Sequence, residues 1–250
     1  MSKKIGLVLS GGAVRGLAHI GVLKALEEKG IMPSFISGVS AGAVVATFYS
    51  AGYSPDQMID LVKNINFLSF VQPNIPIKSF FKIKGFEEYI KKHIKFERAE
   101  QLPIPTYIGT TNLTTGNPEY FNEGEISKLL RMSISVPSLF EPVAYNGNIY
   151  VDGGIVNNLP VEPILEQSDF IIGIDVNPYP LDKSINNIVS ISIHSLFLAF
   201  RSNIEVRKKM CDLFIQPPQL EQVGLYSFWK AEEAIRIGYE YTKNLDLRII

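Results

Sequence analysis

The chain has 250 residues, 24 of them basic and 25 acidic, for a formal charge of -1. That length allows one large hydrophobic core, and the even charge balance offers no basic footprint for nucleic acid. One cysteine, Cys211, cannot form an internal disulfide, so nothing points to an oxidising compartment.

Two lysines, Lys3 and Lys4, precede an apolar run, a layout shared with signal peptides. The run Ile5 to Leu9 breaks at Ser10-Gly11-Gly12, too early for a secretory core. It reads as a strand buried on both faces of a parallel sheet. Helical spacing through Ile20, Leu23 and Leu26 follows the glycine loop, with Gly30 as a C-terminal cap. A second strand, Phe35 to Ser37, leads into Gly38-Val39-Ser40-Ala41-Gly42, and the small residues to Tyr49 suit a helix closed by Ala51-Gly52. The window Phe35 to Tyr53 is apolar, but its serines and glycines mark a buried strand, turn and helix rather than a membrane span. The expectation is a soluble, cytoplasmic protein of α/β class.

Residues 54 to 101 turn amphipathic and lysine-rich, with Phe67, Phe70, Phe80, Phe81, Phe86, Tyr89 and Phe96. This composition suits helices and loops laid over the core as a cap, whose aromatics as a group could meet lipid at a peripheral membrane contact. Tyr107 to Thr111 reads as a strand, with Glu119 to Phe121 beside its neighbour. A helix from Glu125 to Ser135 is stopped by Pro137. Asn146-Gly147 turns a hairpin within Val143 to Val151 that runs into Asp152-Gly153-Gly154. Phe170 to Val176 is a further strand. The segment Ser184 to Lys209 leans towards helix, Asp212 to Gln216 is a late strand, and Phe228, Ala231, Ile235, Gly238 and Tyr241 mark one face of a last helix. With no repeat, low-complexity tract or linker, residues 1–250 read as a single domain.

The chemistry centres on Ser40. A serine between glycines at GxSxG spacing, at a strand-to-helix turn, has the layout of a nucleophile elbow. The following helix N-terminus aims free N–H groups, Ala41 among them, at an oxyanion. The loop Gly11-Gly12-Ala13, between a strand and a helix, offers further N–H donors to one anion. It is not a phosphate loop of Walker type, because Leu17-Ala18 follows Gly16 where lysine and a hydroxyl residue are required. Nor is it a dinucleotide fingerprint, whose second glycine would fall at Ala13.

A nucleophilic serine needs a base. Three histidines are available: His19 in the first helix, His93 in the cap segment and His194 late in the chain. Only His194 follows Asp152 or Asp175 in the order of an α/β-hydrolase triad. The alternative is a carboxylate acting directly, and Asp152, opening a Gly-Gly pair after a strand, has that posture. Asp175, near the end of a buried strand, is its rival.

Gly11-Gly12-Ala13-Val14-Arg15-Gly16, Gly38-Val39-Ser40-Ala41-Gly42 and Asp152-Gly153-Gly154, in this order, resemble the patatin-like phospholipases. Ser135-Val136-Pro137-Ser138-Leu139-Phe140-Glu141-Pro142 looks like that family's proline-containing segment, and the likeness covers about residues 5 to 180. The resemblance implies a three-layer α/β/α sandwich with a mostly parallel sheet. It further implies a Ser40-Asp152 dyad without histidine that hydrolyses phospholipid or lysophospholipid esters through an acyl-enzyme. On that pattern Gly11, Gly12, Ala13 and Ala41 supply the oxyanion hole, while Arg15, Gly16, Gly38, Gly42, Gly153 and Gly154 support the motifs. No metal or cofactor is called for. Ala13 stands where many relatives carry a third glycine, and Arg15 matches the family's basic position. A catalytically silent lipid-binding or scaffold protein on the same fold is the second expectation, and a transferase that replaces water by an alcohol is a third.

Overall fold

A computed structural model describes residues 3–74, 79–178 and 186–247. Strand β1 (Ile5–Leu9) leads through a 3-10 turn at Ala13–Leu17 into helix α1 (Ala18–Glu28), and β2 (Phe35–Val39) leads into α2 (Ala41–Ser50). Next come α3 (Pro55–Asn64), a 3-10 turn at Phe67–Phe70, β3 (Val71–Pro73), β4 (Ser79–Ile83) and α4 (Phe86–His93). The middle of the chain forms β5 (Thr106–Asn112), β6 (Pro118–Phe121), α5 (Ile126–Ser133), β7 (Ser138–Phe140), β8 (Val143–Tyr145), β9 (Asn148–Asp152) and β10 (Phe170–Ile174). The last elements are α6 (Ile188–Lys208), β11 (Leu213–Ile215) and α7 (Ala231–Lys243).

The main sheet runs β11-β10-β1-β2-β5-β9-β8, with β6 also paired to β5. Neighbours from β11 to β5 are parallel, while β9, β8 and β6 run antiparallel to their partners. Continuous apolar strands belong in such a sheet because both faces are covered. In β1, Leu7 and Leu9 enter the main core, built with residues of α1, α2, α3, α4, α5 and α7. Val8 points the other way, onto a second cluster with Leu159, Val161, Ile164 and Ile204 of α6. The architecture is therefore an α/β/α sandwich with a mostly parallel sheet.

Local signals act as the sequence indicates at several places. Gly30 (φ 74°) follows α1, and its N–H and that of Ile31 return to the Glu27 and Leu26 carbonyls at 2.8 and 2.9 Å. Asn146 (φ 47°) and Gly147 (φ 78°) turn the β8-β9 hairpin with the positive dihedrals such a turn demands. In α6 the described helix begins at Ile188, and residues 184 and 185 lie outside the described set.

The segment 54–101 departs from the expectation of helices and loops alone. Strands β3 and β4 pair there, and β4 pairs with β7 to form a separate three-stranded sheet. Ser79-Phe80-Phe81-Lys82-Ile83 has side chains alternating between more and less covered faces, a period-2 pattern that the lysine-rich composition obscures. Of its seven aromatics only Phe80 is exposed. Phe70 meets Phe86 and Tyr89 edge-on, and Phe86, Tyr89 and Phe96 pack against the main core. Phe86, Tyr89 and Phe96 thus serve the core, while Phe67 stacks on Phe228 away from it.

Candidate active site

Register brings the site together at one level of the sheet. Val39 lies beside Gly109 on β5, and the next residue of β5, Thr110, lies opposite Asp152 on β9. The residue after Val39 is Ser40. Because β9 descends antiparallel to β5 and stops there, Asp152 arrives at the level where the chain leaves β2.

Ser40 has φ 53° and ψ -126°, a backbone state that non-glycine residues rarely occupy and that costs on the order of 1–3 kcal/mol. Its own N–H donates to Ser133 Oγ at 2.8 Å, and Ser133 Oγ–H donates to the Gly109 carbonyl at 2.7 Å. The strained turn is thus tied to β5 through one buried hydroxyl. Ser40 makes no side-chain capping bond to α2, which leaves its own hydroxyl available. The flanking glycines serve close approach: a Cβ on Gly38 would lie 2.8 Å from the Gly42 carbonyl, and one on Gly42 would collide with the Leu9 and Ser10 carbonyls.

Asp152 is fully buried. Its Oδ1 accepts from the Gly154 N–H at 2.8 Å, while Oδ2 completes no hydrogen bond of standard geometry among the described residues. Burial pushes the carboxyl up from 3.8 to about 7, opposed by the Ser40 hydroxyl and the Gly154 N–H, which favour the charged form. The Ser40 hydroxyl therefore lies near enough to favour the charged carboxylate without completing a hydrogen bond of standard geometry. A Cβ on Gly153 would stand 2.6 Å from the Gly109 carbonyl, so only glycine lets the turn after Asp152 sit this close to β5.

The glycine loop after β1 lies against the same elements. Gly16 packs so tightly on Ala41 that a Cβ there would collide with the Ala41 side chain. Ala13 holds φ 47°. The Gly11 N–H is engaged by Asn158 Oδ1 at 3.1 Å. Among the described residues the N–H groups of Gly12, Ala13 and Ala41 have no hydrogen-bond acceptor. Arg15 is buried, and its Nε donates to the Val223 carbonyl at 2.6 Å, with Nη2 3.5 Å from the Glu221 carbonyl. It clips the segment before α7 onto the glycine loop, an attachment that Val14 N–H reinforces by donating to the Leu225 carbonyl at 3.1 Å. One residue on, Tyr226 stands at the rim of the site: it is 38% exposed, yet burial and the charge of Asp152 both push its phenol up.

The histidines lie in other settings. Nε2–H of buried His19 donates to the Ser10 carbonyl at 2.8 Å, and burial lowers the ring to about 4, so it is neutral and structural. His93 packs against Tyr89 with ring centres 4.3 Å apart. His194 places Nδ1 2.8 Å from the Ser190 carbonyl of its own helix. Asp175 is committed to Asn177, Gln216 and Ser10. Ser133, Asn158, Asn177 and Tyr226 were not singled out from the sequence. Asn158 alone had a signal, lying six residues after Asp152 in the same turn. Among the described residues there is no group of three or more His, Cys, Asp or Glu that could hold a metal ion.

A serine on a strained elbow beside a buried carboxylate defines the site as that of a candidate acyl-transfer protein. The patatin-like phospholipase profile matches residues 7–165, and the chain belongs to the patatin-like phospholipase family. It is similar to the lysophospholipases NTE1 of Meyerozyma guilliermondii (26% identical, covering 98% of this chain and 19% of the relative) and Kluyveromyces lactis (29%, 95% and 19%). The chain thus spans about a fifth of the length of these curated relatives. Among solved structures, VipD from Legionella pneumophila shares the fold at TM-score 0.57 and 16% identity, covering 96% of this chain and 66% of that one. Full-length ExoU from Pseudomonas aeruginosa, solved with SpcU, does so at 0.54 and 15%, covering 96% and 52%.

The raised pKa of Asp152 has a consequence for stability. A carboxyl whose folded value lies above its unfolded one binds an extra proton in the folded state, so its contribution is favourable in acid and is lost as pH rises towards about 7. Asp152→Asn removes that penalty while keeping an acceptor for Gly154 N–H. The melting temperature of Asp152→Asn is expected to exceed that of wild type by about 5 °C or more at pH 7.5, with the gap closing near pH 4, as followed by circular dichroism.

Proposed function

We propose that the chain is a serine acyl-ester hydrolase acting on phospholipid or lysophospholipid esters through a Ser40-Asp152 dyad. The observation that carries this reading is the pairing of an uncapped, strained serine with a buried carboxyl whose pKa is pushed up to about 7. A base works best when its pKa lies near the operating pH, and burial, only partly offset by the Ser40 hydroxyl and the Gly154 N–H, brings it there. The NTE1 relatives are named lysophospholipases, which agrees with a lipid ester as substrate.

On this reading Asp152 takes the Ser40 proton as Oγ attacks the ester carbonyl carbon. The carbonyl oxygen becomes an oxyanion held by the free N–H groups of Gly12, Ala13 and Ala41. Gly11, whose N–H is already taken by Asn158, shapes the loop. Collapse breaks the ester C–O bond, and Asp152 returns the proton to the departing alcohol oxygen. Water then attacks the acyl-serine, gives its proton to Asp152, and releases the fatty acid while Ser40 regains its hydroxyl. No step passes through His194 or a metal.

Lipid access is proposed from the same side. Trp229 (82% exposed) and Leu68 (63% exposed) flank a groove of about 260 Å³ where Phe67 stacks on Phe228 at 5.3 Å. Trp229 lies three residues after Tyr226, and an exposed tryptophan of this kind suits the interface between water and lipid. Among the described residues no helix is long and apolar enough to cross a membrane, so a peripheral contact is the form proposed.

Incubation with a fluorophosphonate is expected to label Ser40, and lysophosphatidylcholine to release fatty acid. Ser40→Ala should abolish both and Asp152→Asn should lower hydrolysis at least a thousandfold, on the order expected when a unit of this kind loses one member. His194→Ala should retain most activity. Absence of labelling in folded wild type would favour a silent lipid-binding protein, and acyl transfer to added alcohol in preference to water would favour a transferase. For the membrane contact, co-sedimentation with phosphatidylcholine vesicles is expected to fall severalfold in Trp229→Ala while hydrolysis of a soluble short-chain ester is retained.

A further inference from the structure

Gly11 has both its peptide groups gripped by buried side-chain amides. Its N–H donates to Asn158 Oδ1 at 3.1 Å, and its carbonyl accepts from Asn177 Nδ2 at 2.7 Å. Asn158 and Asn177 are 1% and 6% exposed, so neither bond competes with bulk water. The Asn177 amide is fixed in turn by Asp175, whereas Asn158 is held through its backbone N–H and its buried Nδ2 has no hydrogen-bond partner among the described residues. Asn177 donates through Nδ2 and its backbone N–H to Asp175 Oδ1, at 3.0 and 3.1 Å, which dictates that Nδ2 also faces Gly11. Asp175 is held on its other oxygen by Gln216 Nε2 at 2.6 Å. The Asn158 backbone N–H donates to Asn203 Oδ1 at 2.8 Å, and Asn203 Nδ2 reaches back to the Gly154 carbonyl at 3.2 Å.

The two arms come from different parts of the chain. Asn158 belongs to the turn that carries Asp152, and a Cβ built on Gly154 would lie 2.8 Å from Asn158 Oδ1 and 3.1 Å from Asp152 Oδ1. A Cβ built on Gly11 would lie 2.6 Å from Asn158 Oδ1 and 3.0 Å from Ser40 Cβ. One amide oxygen therefore sits among the loop, the nucleophile and the turn of the base. Asn177 lies beyond β10, after Asp175. Glycine is the residue least able to hold its own conformation, so a loop that must present two adjacent N–H groups needs external restraint at Gly11. Gripping both sides of the residue before Gly12 fixes the plane from which the Gly12 and Ala13 N–H groups project.

We propose that Asn158 and Asn177 are positioning residues that hold the Gly11 peptide groups so that the Gly12 and Ala13 N–H groups meet the oxyanion formed at Ser40. The proposal rests on the serine hydrolase reading above. Oxyanion donors act on the tetrahedral species more than on the ground-state ester, so misplacing them lowers kcat with little change in KM.

The test compares wild type with Asn158→Ala and Asn177→Ala, checked for folding by circular dichroism, on a soluble p-nitrophenyl ester and a trifluoromethyl ketone. Addition of Ser40 to that ketone forms a tetrahedral adduct whose oxygen occupies the same place. The expected result is a fall in kcat of about a hundredfold in each variant, KM within about threefold, and weaker binding of the ketone in parallel with kcat/KM. Should Asn177→Ala fail to fold, Asn177→Leu keeps a similar volume, has no donor for the Gly11 carbonyl, and should give the same pattern. Full activity and ketone affinity in folded variants, or a loss of kcat with ketone affinity unchanged, would overturn the proposal. Wild type that neither hydrolyses the ester nor is labelled at Ser40 would instead overturn the hydrolase reading on which it rests.

Discussion

A carboxylate withdrawn from water resists ionisation unless hydrogen bonds or a cation replace the lost solvent. At Asp152 the replacement is partial: one backbone N–H binds Oδ1, the Ser40 hydroxyl lends weaker support, and Oδ2 is left without a full partner among the described residues. This is a destabilising arrangement in the folded protein, and the surrounding structure maintains it. Strand β9 is paired to β5 so that Asp152 faces Thr110, and the turn that follows is pressed onto β5 at Gly153. The burial of the acid and its approach to Ser40 are thus the same structural fact. On the proposed reading, a carboxylate held this way would act as the base for Ser40 without an imidazole.

The other half of the arrangement is strain held at Ser40. An L-residue at φ 53° and ψ -126° returns to an ordinary conformation unless its neighbours oppose it. Here Ser133 holds the Ser40 N–H and the tight contacts of Gly38 and Gly42 close the turn. Because β1, β2 and β10 are parallel, their carboxyl ends lie along one edge, where α/β sites gather. The glycine loop leaves β1, the elbow leaves β2, and Asp175 and Asn177 lie beyond β10. Arg15, although part of the first motif, faces inward and joins this edge to the chain before α7. Its role is to attach distant sequence to the loop.

Much of this was legible in the residues. Continuous apolar runs such as Ile5 to Leu9 and Phe170 to Ile174 announce strands of a covered parallel sheet, and Asn146-Gly147 announces its hairpin. GxSxG and Asp-Gly-Gly draw attention to Ser40 and Asp152 because clustered glycines mark turns and close backbone approaches. What stayed hidden depends on contacts between residues far apart in sequence. The pairing of β4 with β7 joins segments about sixty residues apart, and the lysine-rich composition around β4, with Lys82 on its exposed side, masked its alternation. Asn177 bonds to Gly11 across 166 positions, and Ser133 to Ser40 across 93. An isolated asparagine or serine carries no pattern by which such a partner could be read. For the aromatics of residues 54–101, composition does not say which side of a ring is covered.

The central claim is that a buried Asp152 is the proton acceptor for Ser40, and the pH dependence of kcat/KM on a soluble ester tests it most directly. The value expected for Asp152 puts the midpoint of the rising limb near 7, with loss of activity below it as the carboxyl takes up a proton. That limb should disappear in the residual activity of Asp152→Asn and persist in His194→Ala. A midpoint in the ordinary carboxylate range, or a rising limb that survives in Asp152→Asn and vanishes in His194→Ala, would contradict the account.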